Sequence, residues 1–155
     1  LNLIEIQNHF LGEWAGTNLL RLSWLTPPEF RSDTRMSVNA LGRDKFLTFR
    51  YTWSHEDTAH EGLLLLGYAA PQAVATAAWV DSWHQSTGIL ACQGTIAETG
   101  VITVQGSYPA PTGPDWGWRI VLTPGANETW QMTMYNITPE GEEDLAVQAD
   151  YHRVG

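Results

Sequence analysis

Turn-forming residues interrupt this chain roughly every 8 to 12 positions, a spacing that admits short strands and few helices of ordinary length. Gly42-Arg43-Asp44, Ala70-Pro71, Thr99-Gly100, Pro109 to Pro114, Pro124 to Asn127 and Pro139 to Glu142 supply the breaks. Glycine and asparagine accept positive φ there, and proline cannot donate to a strand ladder. The intervening runs alternate in polarity or are rich in β-branched residues. They predict ten strands, over roughly 13–23, 33–41, 45–54, 60–69, 73–83, 87–98, 101–107, 116–123, 128–138 and 144–153. Only the N-terminus reads as helix: Leu3, Ile6, Phe10 and Leu11 fall on one face, and Gly12 is placed to stop it. Helices do not alternate with strands, so a parallel α/β sheet is not expected. A meander this long closes on itself to remove its edges. The expected fold is all-β: a closed antiparallel meander barrel of about ten strands, forming one domain over residues 1–155, with a short N-terminal helix positioned to plug one end.

A net charge of −9 argues against nucleic acid and anionic membrane as partners, because phosphate binding needs a basic face. No apolar run approaches the roughly 18 residues of a membrane span. The chain opens without a basic region or an apolar signal segment, and its single cysteine, Cys92, permits no internal disulfide. A cytoplasmic location is the resulting expectation. Cys92 sits in an apolar alternating stretch and reads as a buried, inert thiol.

Two distant segments carry a resemblance. Phe10-Leu11-Gly12-Glu13-Trp14 opens the first strand and Tyr151-His152-Arg153 closes the last. The pair resembles the calycin signature, in which a Gly-x-Trp begins the barrel and an arginine of the final strand packs over the indole at the closed end. A guanidinium over the face of Trp is a cation–π contact. Further on, Gly67-Tyr68, Ala78-Trp79-Val80-Asp81-Ser82, Ser86-Thr87-Gly88-Ile89-Leu90 and Gly94 follow at hairpin spacing. Together these motifs resemble a bacterial lipocalin-like family catalogued as domain of unknown function 1579. The resemblance implies a barrel with an internal cavity, assigns Trp14 and Arg153 to barrel closure, and implies no established activity. More distantly the chain resembles fatty-acid-binding and nitrobindin-like barrels. In the nitrobindin-like group a histidine of the last strand ligates haem. The comparable stretch here, Asp144 to Ala149, has no histidine, and His152 adjoins Arg153 and so faces the other way. Haem binding of that type is not expected, and no cofactor is assigned.

Eight tryptophans pose the functional question. A solidly packed barrel favours Val, Ile and Leu, whereas ligand cavities combine apolar walls with a few placed polar groups. Strand alternation groups Leu47, Phe49, Tyr51 and Trp53 on one face; Trp130, Met132, Met134 and Asn136 on another; Trp116, Trp118, Ile120 and Leu122 on a third; and Trp79 with Asp81 and Trp83. The candidate ligand-binding residues are Arg50, Tyr68, Trp79, Trp118, Arg119, Trp130, Met132 and Met134. The competing reading is an aromatic core with solvated outer arginines. An inward Arg50 or Arg119 needs an anionic partner, such as a ligand carboxylate; an outward one needs only water. The run from His55 to Glu61 is rich in metal-capable groups but lacks zinc-type spacing and falls on a predicted turn, so no metal site is expected. His84 lies near Asp81 as an acid–base pair would, with no nucleophile or orienting group nearby, and no catalytic residue is assigned.

The leading expectation is a non-enzymatic binder of a small apolar or amphipathic molecule inside the barrel. A small-barrel enzyme of isomerase or hydrolase type, and a filled barrel serving as a homodimerising module, remain the alternatives.

Overall fold

The computed structural model describes residues 3–69 and 72–155; the predicted break at Ala70-Pro71, and the side chain of Leu3, lie outside the described residues. The helix α1 (Leu3–Phe10) precedes ten strands: β1 (Gly12–Arg21), β2 (Glu29–Leu41), β3 (Phe46–His55), β4 (Thr58–Ala69), β5 (Val74–Asp81), β6 (Leu90–Ile96), β7 (Ile102–Tyr108), β8 (Trp116–Pro124), β9 (Thr129–Ile137) and β10 (Glu143–Arg153). Each strand pairs antiparallel with its sequence neighbours, and β1 pairs with β10, so the sheet is a closed barrel with no free edge. This is the meander expected from the turn spacing.

Tight turns make the meander possible. Glu56 and Asp57, between the paired residues His55 and Thr58, both adopt left-handed φ (50° and 63°). That geometry matches the right-handed twist of the flanking strands. The run from His55 to Glu61 is thus one hairpin, with the His55 ring packed edge-on to Phe30 at 5.0 Å.

Alternation decides what enters the barrel. Leu47, Phe49, Tyr51 and Trp53 of β3 are buried, as are Trp130, Met132 and Met134 of β9 and Ile120 and Leu122 of β8. Full burial of such side chains contributes about 1.5–3 kcal/mol each. The helix seals one end. Ile6 and Phe10 are completely buried, and the Phe10 ring meets Phe49 at 5.6 Å and Trp130 at 5.2 Å, both edge-on. Gln7 donates from Nε2 to the Asp44 carbonyl, tying the helix to the β2–β3 turn.

The same end carries the junction of first and last strands. Trp14 pairs in register with Arg153, whose guanidinium carbon lies 4.3 Å from the indole centroid. Arg153 also donates to the Leu11 carbonyl at 2.8 Å, and Trp14 Nε1 donates to the Phe10 carbonyl at 2.8 Å. Gly12 sits at φ +124°, where a Cβ would stand 2.4 Å from Arg153 Nη1, so the approach of the guanidinium requires glycine.

Most strand boundaries fall within two residues of expectation, and the start of β2, the end of β5 and the start of β6 move for visible reasons. β2 begins at Glu29 because Glu29 to Ser32 pair with Arg21 to Asn18 of β1. β5 stops at Asp81 and β6 starts at Leu90, because the Asp81 carboxylate captures the backbone N–H groups of Trp83 and His84 and turns the chain out of the sheet. Among the described residues no helix is long and apolar enough to cross a membrane.

Candidate functional site

The end opposite the helix is where the turn after Asp81 creates a site. Asp81 is 3% exposed, yet its carboxylate is fully engaged. Oδ2 accepts from the Tyr51 hydroxyl at 2.6 Å and from Trp53 Nε1 at 3.2 Å. Oδ1 accepts the N–H groups of Trp83 at 2.9 Å and His84 at 3.1 Å. Trp79 Nε1 in turn donates to the Tyr51 oxygen at 3.0 Å. Burial, then the charge of Asp81, push the Tyr51 hydroxyl well above its ordinary pKa, so it stays a donor. A buried carboxylate is tolerated only with such a complete set of donors.

This anchored turn folds His84 into the barrel mouth. Its ring packs among four indoles, with centroids 4.8 Å from Trp83, 5.2 Å from Trp118, 5.7 Å from Trp79 and 5.8 Å from Trp53. Burial lowers its pKa to about 4 against the opposing pull of Asp81, with His60 lowering it further. At neutral pH the imidazole is therefore uncharged. Asp81 meets His84 through the backbone N–H and not through the ring, so the pair is not an acid–base dyad.

Outside His84 lies a cavity of about 400 Å³, walled chiefly by Trp79, His84, Gln85, Leu90, Tyr108 and Trp118. Trp79 of β5 and Trp118 of β8 stack at 5.3 Å and 12° across its wall. The lining contains no Arg, Lys, Asp or Glu. Inside His84 the gap among Asn18, Tyr51, Trp53, Met132, Met134 and Val147 has no room for a water molecule.

From within the helix to the end of the last strand, residues 5–153, the sequence matches a family model, that of a protein of unknown function, DUF1579. The chain belongs to the DUF1579 family. No curated protein matches it. Among solved structures, Rv2717c from M. tuberculosis is similar in fold, at 15% identity and a TM-score of 0.67, covering 100% of this chain and 99% of that one. A proposed thioesterase II from Thermobifida fusca YX matches at 12% identity over 96% of this chain and 80% of that one; its TM-score of 0.24 carries no argument.

In this DUF1579 barrel the expected site residues separate into four places. Trp79 and Trp118 meet on the cavity wall. Trp130, Met132 and Met134 belong to the packed core, at 1–2% exposure. Tyr68 pairs with Ala75 near the helix end, away from the cavity. Arg50 and Arg119 point outward, contrary to the inward placement that carboxylate binding requires. Arg50 is exposed, 3.8 Å from Glu61, and Arg119 pairs with Glu143 and lies 5.5 Å from the Tyr135 ring centroid. Each neighbours two inward residues, and strand alternation turns it out.

Other positions follow the same parity. β10 directs Val147, Ala149 and Tyr151 inward and leaves His152 exposed. Cys92 is buried, and burial raises its thiol pKa to about 11. Among the described residues no three His, Cys, Asp or Glu side chains converge as metal ligands. Gln85, Leu90 and Tyr108 were not singled out by sequence reasoning. Leu90 lies on a run read as ordinary strand, Tyr108 falls one residue past the run read as 101–107, and Gln85 lies in a turn with no periodicity to reveal it.

Proposed function

We propose that this protein is a non-enzymatic, lipocalin-like binder that takes a small, uncharged, largely apolar molecule into the cavity at its open end. The observation that carries this reading is the stacked Trp79–Trp118 wall facing about 400 Å³ of space, a volume within the range of small-molecule sites, about 300–1,000 Å³. Burial against such a wall contributes about 25 cal/mol per Å² of apolar surface. The absence of a cationic side chain from the lining favours a neutral ligand over a carboxylate, and the outward arginines leave an anionic head group without a partner.

Catalysis is the weaker reading, because Asp81 is committed to four hydrogen bonds and none reaches the His84 ring.

The test is titration with a neutral naphthalene ketone dye whose emission shifts blue in apolar surroundings. Wild-type protein is expected to bind it saturably. Leu90→Trp, which fills the cavity from β6, is expected to abolish the shift while leaving the circular dichroism of the barrel intact. Equal binding by a folded Leu90→Trp variant places the dye elsewhere and refutes the site.

A further inference from the structure

The cavity wall holds an imidazole whose nitrogens the protein leaves unused. Neither ring nitrogen of His84 has a hydrogen-bond partner among the described residues; the bond to Asp81 leaves from the backbone N–H. The nitrogens are nevertheless open. The buried polar atoms that lack a partner include Trp118 Nε1 and Gln85 Oε1 but neither nitrogen of His84, so both remain within reach of a water-sized group. His84 borders two spaces, the inner gap and the cavity. The inner gap admits no water, so the nitrogens are reached from the outer side, where the cavity lies.

A neutral imidazole carries one N–H and one bare, basic nitrogen. Burial keeps this ring uncharged at neutral pH, so the bare nitrogen is present and calls for a donor. The side chains around it have given their protons elsewhere. Trp53 and Trp79 donate from Nε1 to Asp81 and Tyr51. Gln85 Nε2 donates to the Trp79 carbonyl at 3.0 Å and to the Gly88 carbonyl at 2.9 Å, and Tyr108 donates its hydroxyl proton to Asn136 Oδ1. Ser86 and Ser107 are exposed and bond neither nitrogen. The donor has to come from the occupant of the cavity.

We infer that the ligand is a planar aromatic alcohol that lies against the Trp79–Trp118 wall and donates its O–H to the bare nitrogen of His84. The inference rests on the cavity being the binding site. The His84 ring centroid is 5.2 Å from that of Trp118 and 5.7 Å from that of Trp79, so one small flat molecule spans the stacking wall and the acceptor. A phenolic hydroxyl ionises near about pH 10 and so keeps its proton at neutral pH. An ammonium group also brings donors, but the lining offers it no Asp or Glu. A carboxylate has no proton to give. An ether or a ketone only accepts, which leaves the basic nitrogen unmet. A site built to hydrogen-bond a hydroxyl rejects the analogue lacking it more strongly than it rejects a small change in apolar bulk.

Three probes separate these cases by isothermal titration calorimetry: 2-naphthol, its methyl ether 2-methoxynaphthalene, and 2-ethylnaphthalene. The naphthol is expected to bind wild-type protein about tenfold tighter than either of the others, the size of one buried hydrogen bond. His84→Phe keeps a flat ring among the indoles but has no nitrogen. It is expected to bring all three probes to similar affinity while still binding the hydrocarbon. A second readout needs no variant: nitrogen NMR of the wild-type imidazole, in which the bare nitrogen is expected to shift on adding the naphthol and not on adding the ether. Equal affinity of naphthol and ether for wild type, an unshifted imidazole, or a naphthol preference that survives in folded His84→Phe each overturns the inference and leaves the cavity reading standing. Failure of all three probes to bind, the hydrocarbon included, overturns the cavity reading itself.

Discussion

Arg153 reaches back across the seam of the barrel to Trp14, its guanidinium carbon 4.3 Å from the indole centroid, while its Nη1 holds the carbonyl of Leu11, the residue that links the N-terminal helix to β1. One side chain thus joins β10, β1 and α1. Arg153→Ala removes a cation–π contact and a charge-assisted hydrogen bond to a main-chain acceptor. It is expected to lower the unfolding free energy by about 2–4 kcal/mol. Chemical denaturation measures this, and a double-mutant cycle with Trp14→Phe should return a coupling of about 0.5–2 kcal/mol. Additive losses would show that the two residues act separately.

Asp81→Asn is nearly isosteric but replaces one acceptor oxygen with a donor. Whichever way the amide turns, an N–H then faces either Tyr51 and Trp53 or the backbone N–H groups of Trp83 and His84. The expected cost is about 2–4 kcal/mol, with near-ultraviolet circular dichroism altered as the indoles around His84 lose their fixed packing. An unchanged denaturation midpoint would contradict the role assigned to this carboxylate.

His84 gives the protein a defined response to acid. Its folded-state pKa is lowered to about 4, whereas an unfolded histidine titrates near about 6.5. Between these values the unfolded chain binds the extra proton. The stability conferred by neutral His84 is therefore complete above about pH 6.5, declines as pH falls toward 4, and changes no further below. The stability of wild type minus that of His84→Gln, followed by urea denaturation, is expected to decrease through this window. A difference that stays level with pH would exclude His84 as its source.

The outward arginines make a contrasting prediction. Arg50→Met and Arg119→Met are each expected to change the unfolding free energy by less than about 1 kcal/mol, as surface ion pairs do. Neither should alter the affinity for the neutral naphthalene dye. A loss of binding in either variant would mean that the arginine reaches the ligand by a route absent from this structure.

The fold was legible because its determinants are local. Turn residues at Gly42, Thr99-Gly100 and Pro139 to Glu142 mark the hairpins, and alternation along Leu47, Phe49, Tyr51 and Trp53 marks an inward face. Alternation also held the answer for Arg50, which shares its face with the polar Thr48 and Thr52. What sequence could not convey was volume. Whether Met132 and Met134 border a cavity or fill it depends on side chains arriving from β1, β3 and β10, far away in the chain. His84 and Gln85 occupy the site because a single carboxylate interrupts β5. No period announces such a turn: Asp81 reads as one more residue of a strand until its four donors are known.

The Trp79–Trp118 stack spans from β5 to β8, two strands separated in the sheet by β6 and β7. Two indoles this close and this nearly parallel share their electronic excitation, so the pair acts as an optical ruler set across the barrel's cross-section. Any ovalisation of the mouth, whether from an entering guest or from thermal breathing, changes their separation or tilt. That change appears as a rise or collapse of split circular-dichroism bands, with no label attached to the protein.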